Sequence, residues 1–264
     1  MKLVRKGKIS YLQPTSIPPG LIAGFSTRNG GVSRPPYHSL NLGYNTDDPK
    51  VHIEGNRSTF VRTFDLPIHQ LLTVKQVHGK DILLIDEPNL DLSHFNRLEV
   101  DAIITNQPGI MIGILTADCY PLLLWNRQQT AVAAVHIGWR GAADGLIGKT
   151  VKAITSHFDC TPQDLLAAVG PGIGADRYEV DRPVRDAFRQ GSGFWKEISH
   201  ETRLGHFSLN LALSCRLQLE QTGIAPDAIE ESGHCTYASA EMFFSYRRDD
   251  GKTGRQLGFI MLKK

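Results

Sequence analysis

The chain has 264 residues, enough for one substantial core, and no Pro/Gly/Ser-rich linker divides it, so residues 1–264 are expected to form a single domain. Its 29 basic and 27 acidic residues are interspersed and leave a formal charge of +2, which argues against a nucleic-acid-binding stripe. Small-molecule chemistry is the better expectation.

At the N-terminus, Lys2, Arg5, Lys6 and Lys8 are not followed by a continuous apolar stretch, and no run approaches a membrane span. The expected location is the cytoplasm, with no membrane partner. Leu21–Ser26 reads as a strand entering Thr27-Arg28-Asn29-Gly30-Gly31, where paired glycines permit a tight turn. Pro49 follows Asp47 and Asp48 at a good first helical position, and Ile53, Phe60 and Phe64 share one face of a helix ending before Pro67. Arg57 falls on that face.

Residues 110–115, 122–125 and 131–137 are short apolar runs that read as buried strands, the first two separated by an Ala117-Asp118-Cys119 turn. Residues 141–158 carry Ile147, Val151, Ile154 and Phe158 at helical spacing, which places His136, Trp139 and Arg140 at a strand-to-helix junction. Leu165–Val169 reads as a strand running into Gly170-Pro171-Gly172-Ile173-Gly174, either a plain turn or a nest of amides for an anion. Asp181 and Pro183 open a short helix through Phe188, and a longer one is predicted over residues 208–222, stopped by Gly223. Residues 229–237 and Gln256–Leu262 read as strands, with an Asp250-Gly251 turn between them. Strands and helices mix without regular βαβ alternation, so the predicted class is α+β with mixed sheets.

His78 in Gln76-Val77-His78-Gly79, Cys119 in Thr116-Ala117-Asp118-Cys119-Tyr120-Pro121, and His136 in His136-Ile137-Gly138-Trp139-Arg140-Gly141 each close or follow an apolar, strand-like run. Two imidazoles and a thiolate make three ligands for zinc, which leaves one tetrahedral position open, as in catalytic sites. The same residues also suit a thiol nucleophile with its base. Taken singly, each is equally a buried cysteine or a hydrogen-bonded structural histidine. Cys160, Cys215 and Cys235 form no CxxC pair and read as reduced structural thiols, and His234 beside Cys235 is a weaker second pair. Arg28 and Arg140, both beside glycine turns, are candidate phosphate contacts, and so is Arg57.

Taken together with Ser26-Thr27-Arg28-Asn29-Gly30-Gly31-Val32-Ser33 and Tyr37-His38-Ser39-Leu40-Asn41-Leu42-Gly43, these motifs resemble the YfiH-like laccase-domain proteins, also called bacterial polyphenol oxidases or peptidoglycan editing factors. The resemblance runs from about residue 20 to the C-terminus. It implies a single α+β domain with mixed sheets, grouped with cysteine-hydrolase-like toxins rather than cupredoxins, and a metal triad at His78, Cys119 and His136. It also implies phosphorolysis of adenosine, inosine, guanosine and methylthioadenosine, together with adenosine deamination. Arg57 in the Asn56-Arg57 helix motif is then a substrate or phosphate contact. One departure is Gly43-Tyr44-Asn45, where many relatives carry a histidine.

The expectation is therefore a zinc enzyme, with copper as the other metal, acting on purine nucleosides and phosphate as a monomer or small homo-oligomer. His78, Cys119 and His136 would be its metal ligands and catalytic centre. Arg28, Arg57 and Arg140 would hold phosphate, and Asp118 would carry a proton. One rival is an amidase of cell-wall precursors with Cys119 as nucleophile. The other is a copper polyphenol oxidase, yet none of the ten histidines forms the His-x-His pair of a coupled copper centre.

Overall fold

The computed structural model describes residues 1–191 and 193–264. In chain order its strands are β1 (Lys2–Lys6), β2 (Ile9–Gln13), β3 (Leu21–Ser26), β4 (Leu71–Leu72), β5 (Ile82–Ile85), β6 (Ala102–Thr105), β7 (Met111–Thr116) and β8 (Tyr120–Asn126). There follow β9 (Val132–Ile137), β10 (Leu165–Val169), β11 (Glu179–Asp181), β12 (Ser199–Arg203), β13 (His206–Leu209), β14 (Ile229–Glu231) and β15 (Gln256–Leu262). The helices are α1 (Lys50–Arg62), α2 (Trp139–Ala143), α3 (Leu146–His157), α4 (Arg182–Gln190), α5 (Trp195–Ile198) and α6 (Leu211–Gln221). None is long and apolar enough to cross a membrane.

Two six-stranded mixed sheets, ordered β1-β2-β3-β15-β7-β4 and β14-β10-β8-β9-β6-β5, pack face to face, and a small third sheet runs β11-β13-β12. The layering follows from the two-residue period of a strand. In β8, Leu123 and Trp125 join Phe25, Ile112, Ile114 and Ile260 between the sheets, whereas Leu122 and Leu124 face a helical layer containing Ile147, Val151 and Leu219. β7, β8 and β9 are therefore apolar nearly throughout, because both of their faces are covered. On the outer side of the first sheet, Phe60 of α1 packs on Phe259. The mixed α+β class expected from the sequence is the one observed.

Three boundaries differ. The helix expected over 141–158 is divided, because Gly145 turns to φ 74 between α2 and α3. The helix expected from Ser208 begins at Leu211, where the Asn210 side chain accepts the Leu213 amide; Ser208 belongs to β13, pairing Glu179. The strand expected over 229–237 ends at Glu231, beyond which β10 offers no further partner, and the chain folds into turns as far as β15.

Candidate active site

β8 and β9 pair antiparallel with Tyr120 opposite Ile137 and Pro121 opposite His136, so Cys119, immediately before β8, is brought beside His136 near the end of β9. His78 arrives on a turn held by an unforeseen residue, Asp101, which is fully buried. One Asp101 oxygen accepts the amides of Val77 (3.2 Å) and Gly79 (2.7 Å). The other accepts the His78 amide (3.1 Å) and lies 2.7 Å from His136 Nδ1. With Nδ1 donating to that carboxylate, Nε2 of His136 keeps its lone pair for a ligand. His78 has φ 58 and Asp118 φ 95, left-handed conformations that side chains other than glycine adopt only when their surroundings hold them.

The donor atoms of His78, Cys119 and His136 all lie within 4.8 Å of one another. Metal–ligand bonds of about 2.0–2.3 Å fit such a triangle after a small contraction. Gly138 keeps it open: a Cβ there would stand 2.8 Å from His78 Nδ1 and 3.2 Å from Cys119 Sγ. Burial pushes the Cys119 thiol up, but His136 and His78 outweigh it and bring it down to about 6. Burial likewise lowers the His136 imidazole, while Cys119 and Asp101 raise it to about 9. The pairing favours the thiolate, the form that binds a soft metal, and metal binding at His136 would displace any proton from its Nε2. These three residues could hold a metal ion.

The triad opens into a cavity of about 1640 Å³. Five arginines line it, and four of them lie over an aromatic ring that also lines it. Arg57 lies over Tyr44 (5.0 Å), Arg140 over Trp139 (4.3 Å), Arg247 over Tyr178 (5.4 Å) and Arg255 over Tyr246 (5.7 Å). Among the described residues none of the four pairs with a carboxylate. Arg57 is 4% exposed; it donates to Leu42 O (3.0 Å) and Thr73 Oγ1 (3.1 Å), two of its five N–H groups, and burial lowers its pKa. Thr116 Oγ1, buried without a partner, is another polar atom on the lining.

Other residues singled out from the sequence lie differently. Arg28 is outside the cavity: it donates to His38 O (2.8 Å) and Ala240 O (2.9 Å) and stacks on Phe244, so it holds backbone together. Asp118 does line the cavity, but its two oxygens accept the Thr236 hydroxyl and the Arg247 amide, both at 2.7 Å. Through these two contacts it anchors the loop carrying Arg247. In the 170–174 loop the amides of Gly170, Ile173 and Gly174 go to Pro121 O, Asp118 O and Cys235 Sγ. Its glycines avoid collision, since a Cβ on Gly172 would lie 2.5 Å from the Tyr120 ring, so the loop is no anion nest. Asp101, Arg247, Arg255, Tyr178 and Tyr246 were not foreseen. For Asp101 a signal existed: an acid set directly against the wholly apolar run Ala102-Ile103-Ile104.

Residues 22–263 match the family model described as multi-copper polyphenol oxidoreductase laccase. The purine nucleoside phosphorylase YfiH of Shigella flexneri is 40% identical, covering 93% of this chain and 96% of its own; that of Escherichia coli (strain K12) is 39% identical, covering 93% and 95%. The crystal structure of the Bacillus licheniformis hypothetical protein YfiH superposes with a TM-score of 0.90 at 31% identity, over 97% of both chains.

Proposed function

The chain belongs to the multi-copper polyphenol oxidoreductase laccase family, and from that premise we propose that it is a zinc-dependent purine nucleoside phosphorylase. Its substrates are adenosine, inosine, guanosine and methylthioadenosine, and adenosine deamination is a side activity. The observation that carries this reading is the meeting of a His/Cys/His ligand set with four arginine–aromatic pairs on one cavity. Flat rings suit a purine, and guanidinium groups without carboxylate partners suit phosphate. The names of the relatives support it as well.

In phosphorolysis a phosphate oxygen bonds to the ribose anomeric carbon as the bond to the purine nitrogen breaks and the electron pair leaves with the base. Arg57, with Arg140 at the rim, holds phosphate in line for that attack and offsets its charge. Tyr44 and Tyr246, both about half exposed on the lining, receive the flat base. Asp101 fixes the ring of His136 and the turn of His78, so the ligand set is formed before substrate arrives. His78, Cys119 and His136 would hold the zinc ion, which when bound would supply Lewis-acid chemistry to the reaction. Copper at the same residues would not make a laccase, because coupled oxygen reduction needs further His clusters and the only three-ligand group among the described residues is this one.

A second reading, an amidase with Cys119 as nucleophile and His136 as base, draws on the thiolate–imidazolium pair. One experiment separates them: metal-defined protein is incubated with nucleosides, with and without phosphate, and with a muramyl peptide, and products are identified by mass. Free base with ribose-1-phosphate supports the phosphorylase. Amide cleavage with trapping of an acyl-Cys119 overturns it.

A further inference from the structure

The cavity is longer than its proposed chemistry requires. Ile110, just before β7, and Thr116, its last residue, both line it, so it spans about 20 Å at roughly 3.3 Å per extended residue. Its volume of about 1640 Å³ also exceeds the roughly 300–1,000 Å³ that encloses most drug-sized ligands. The end away from Cys119 has its own character. Leu90, Leu92 and Ile110 give it apolar walls, while Arg97 and Lys264 add two cations that pair with no carboxylate among the described residues. Lys264 lies across Gly109, where an added Cβ would meet its Cε at 2.5 Å. Asp91 adds one carboxylate to the lining, where it accepts the Ser93 amide (2.9 Å) and lies 3.7 Å from His94 Nε2.

We propose that this distal arm is a binding subsite for purine nucleosides extended from the 5′ carbon by a short apolar chain that ends in an amino-acid head, the class of the thioether-linked adenosyl amino acids. The inference rests on the nucleoside reading of the proximal end. With the anomeric carbon turned toward phosphate, the 5′ carbon is the ribose exit that carries a chain away without replacing a ring hydroxyl. Arg97 and Lys264 take the carboxylate and Asp91 the ammonium. A polyphosphate arm fits worse, because Leu90, Leu92 and Ile110 would desolvate its charges without offering donors.

Isothermal titration of the zinc-loaded protein with S-adenosylhomocysteine, adenosine and ADP, without phosphate, tests the subsite. S-adenosylhomocysteine is expected to bind about tenfold or more tightly than either of the others, the equivalent of one good contact. In the double variant Arg97→Ala/Lys264→Ala that preference should shrink about tenfold. Equal or weaker binding of S-adenosylhomocysteine by protein that phosphorolyses adenosine overturns the subsite and leaves the phosphorylase reading intact. If adenosine is neither bound nor cleaved, both fall together.

Discussion

Asp101 and His136 face each other across 2.7 Å, and the same buried carboxylate accepts the amides of Val77, His78 and Gly79. A single negative charge therefore sets the orientation of one imidazole and the backbone of the turn carrying the other. Replacing Asp101 with Asn keeps one acceptor oxygen and turns the other into a donor, which must then face either the Val77 and Gly79 amides or the His78 amide and His136 Nδ1. We expect Asp101→Asn to lower metal affinity about 10- to 100-fold, the range for losing a ligand's hydrogen-bond partner. Competition with a chromophoric chelator measures it. Wild-type affinity in the variant would show that Asp101 shapes the fold only.

Gly138 isolates the geometry of the site from that of the chain. Its φ is −84, so alanine suits the backbone, yet the added methyl would press on His78 Nδ1 and Cys119 Sγ. Gly138→Ala should retain the wild-type far-ultraviolet circular dichroism and melting profile while binding far less than the roughly one zinc per chain expected of a single three-ligand site. Full metal content by elemental analysis would contradict the proposed coordination geometry.

The grouping of His78, Cys119 and His136 was legible because each stands in a local signature, a Cys or His that closes or follows an apolar run at a turn. The strands β7, β8, β9 and β15 were legible for the same reason: continuous apolarity marks a strand covered on both faces. Asp101 and Arg247 were not, because their roles come from pairing across distance. Asp101 meets residues 77–79 through the parallel pairing of β5 with β6, and Arg247 reaches Asp118 because β15 lies between β3 and β7, across 129 residues of sequence. The overlong strand prediction at 229–237 hid this loop, whose turns present Tyr246 and Arg247 to the cavity.

Arg57 is the arginine for which periodicity and structure ask different things. An inward charge on an apolar helix face predicts an anionic partner and little effect on folding when it is removed. The structure adds Leu42 O and Thr73 Oγ1, which truncation would leave without their donors. Arg57→Ala should therefore cost about 2–4 kcal/mol of transition-state stabilisation in phosphorolysis and, in addition, about 1–3 kcal/mol of folding stability. Arg57→Lys should recover part of the activity, because the charge returns without the planar fork. Kinetics at varied phosphate and urea unfolding separate the two losses. Unchanged kcat/KM with lowered stability would make Arg57 structural alone.

Asp249 gives a pH dependence. Its oxygens accept Arg248 Nε (2.8 Å), Arg248 Nη2 (3.0 Å) and the Thr253 hydroxyl (2.8 Å), and Arg248 in turn donates to Thr236 O and Phe243 O, so this cluster braces the loop carrying Tyr246 and Arg247. Burial raises the carboxyl, but Arg248 and Thr253 outweigh it and hold its pKa below the ordinary value. A carboxyl depressed in the folded state binds its proton more readily when unfolded, so its contribution is complete above the unfolded value of about 3.9 and disappears as pH falls through the lower, folded value. Urea midpoints for the wild type should therefore fall more steeply below about pH 4 than those of Asp249→Asn, the two curves converging in acid. Parallel curves across that window would show that the carboxylate's charge does not brace the loop.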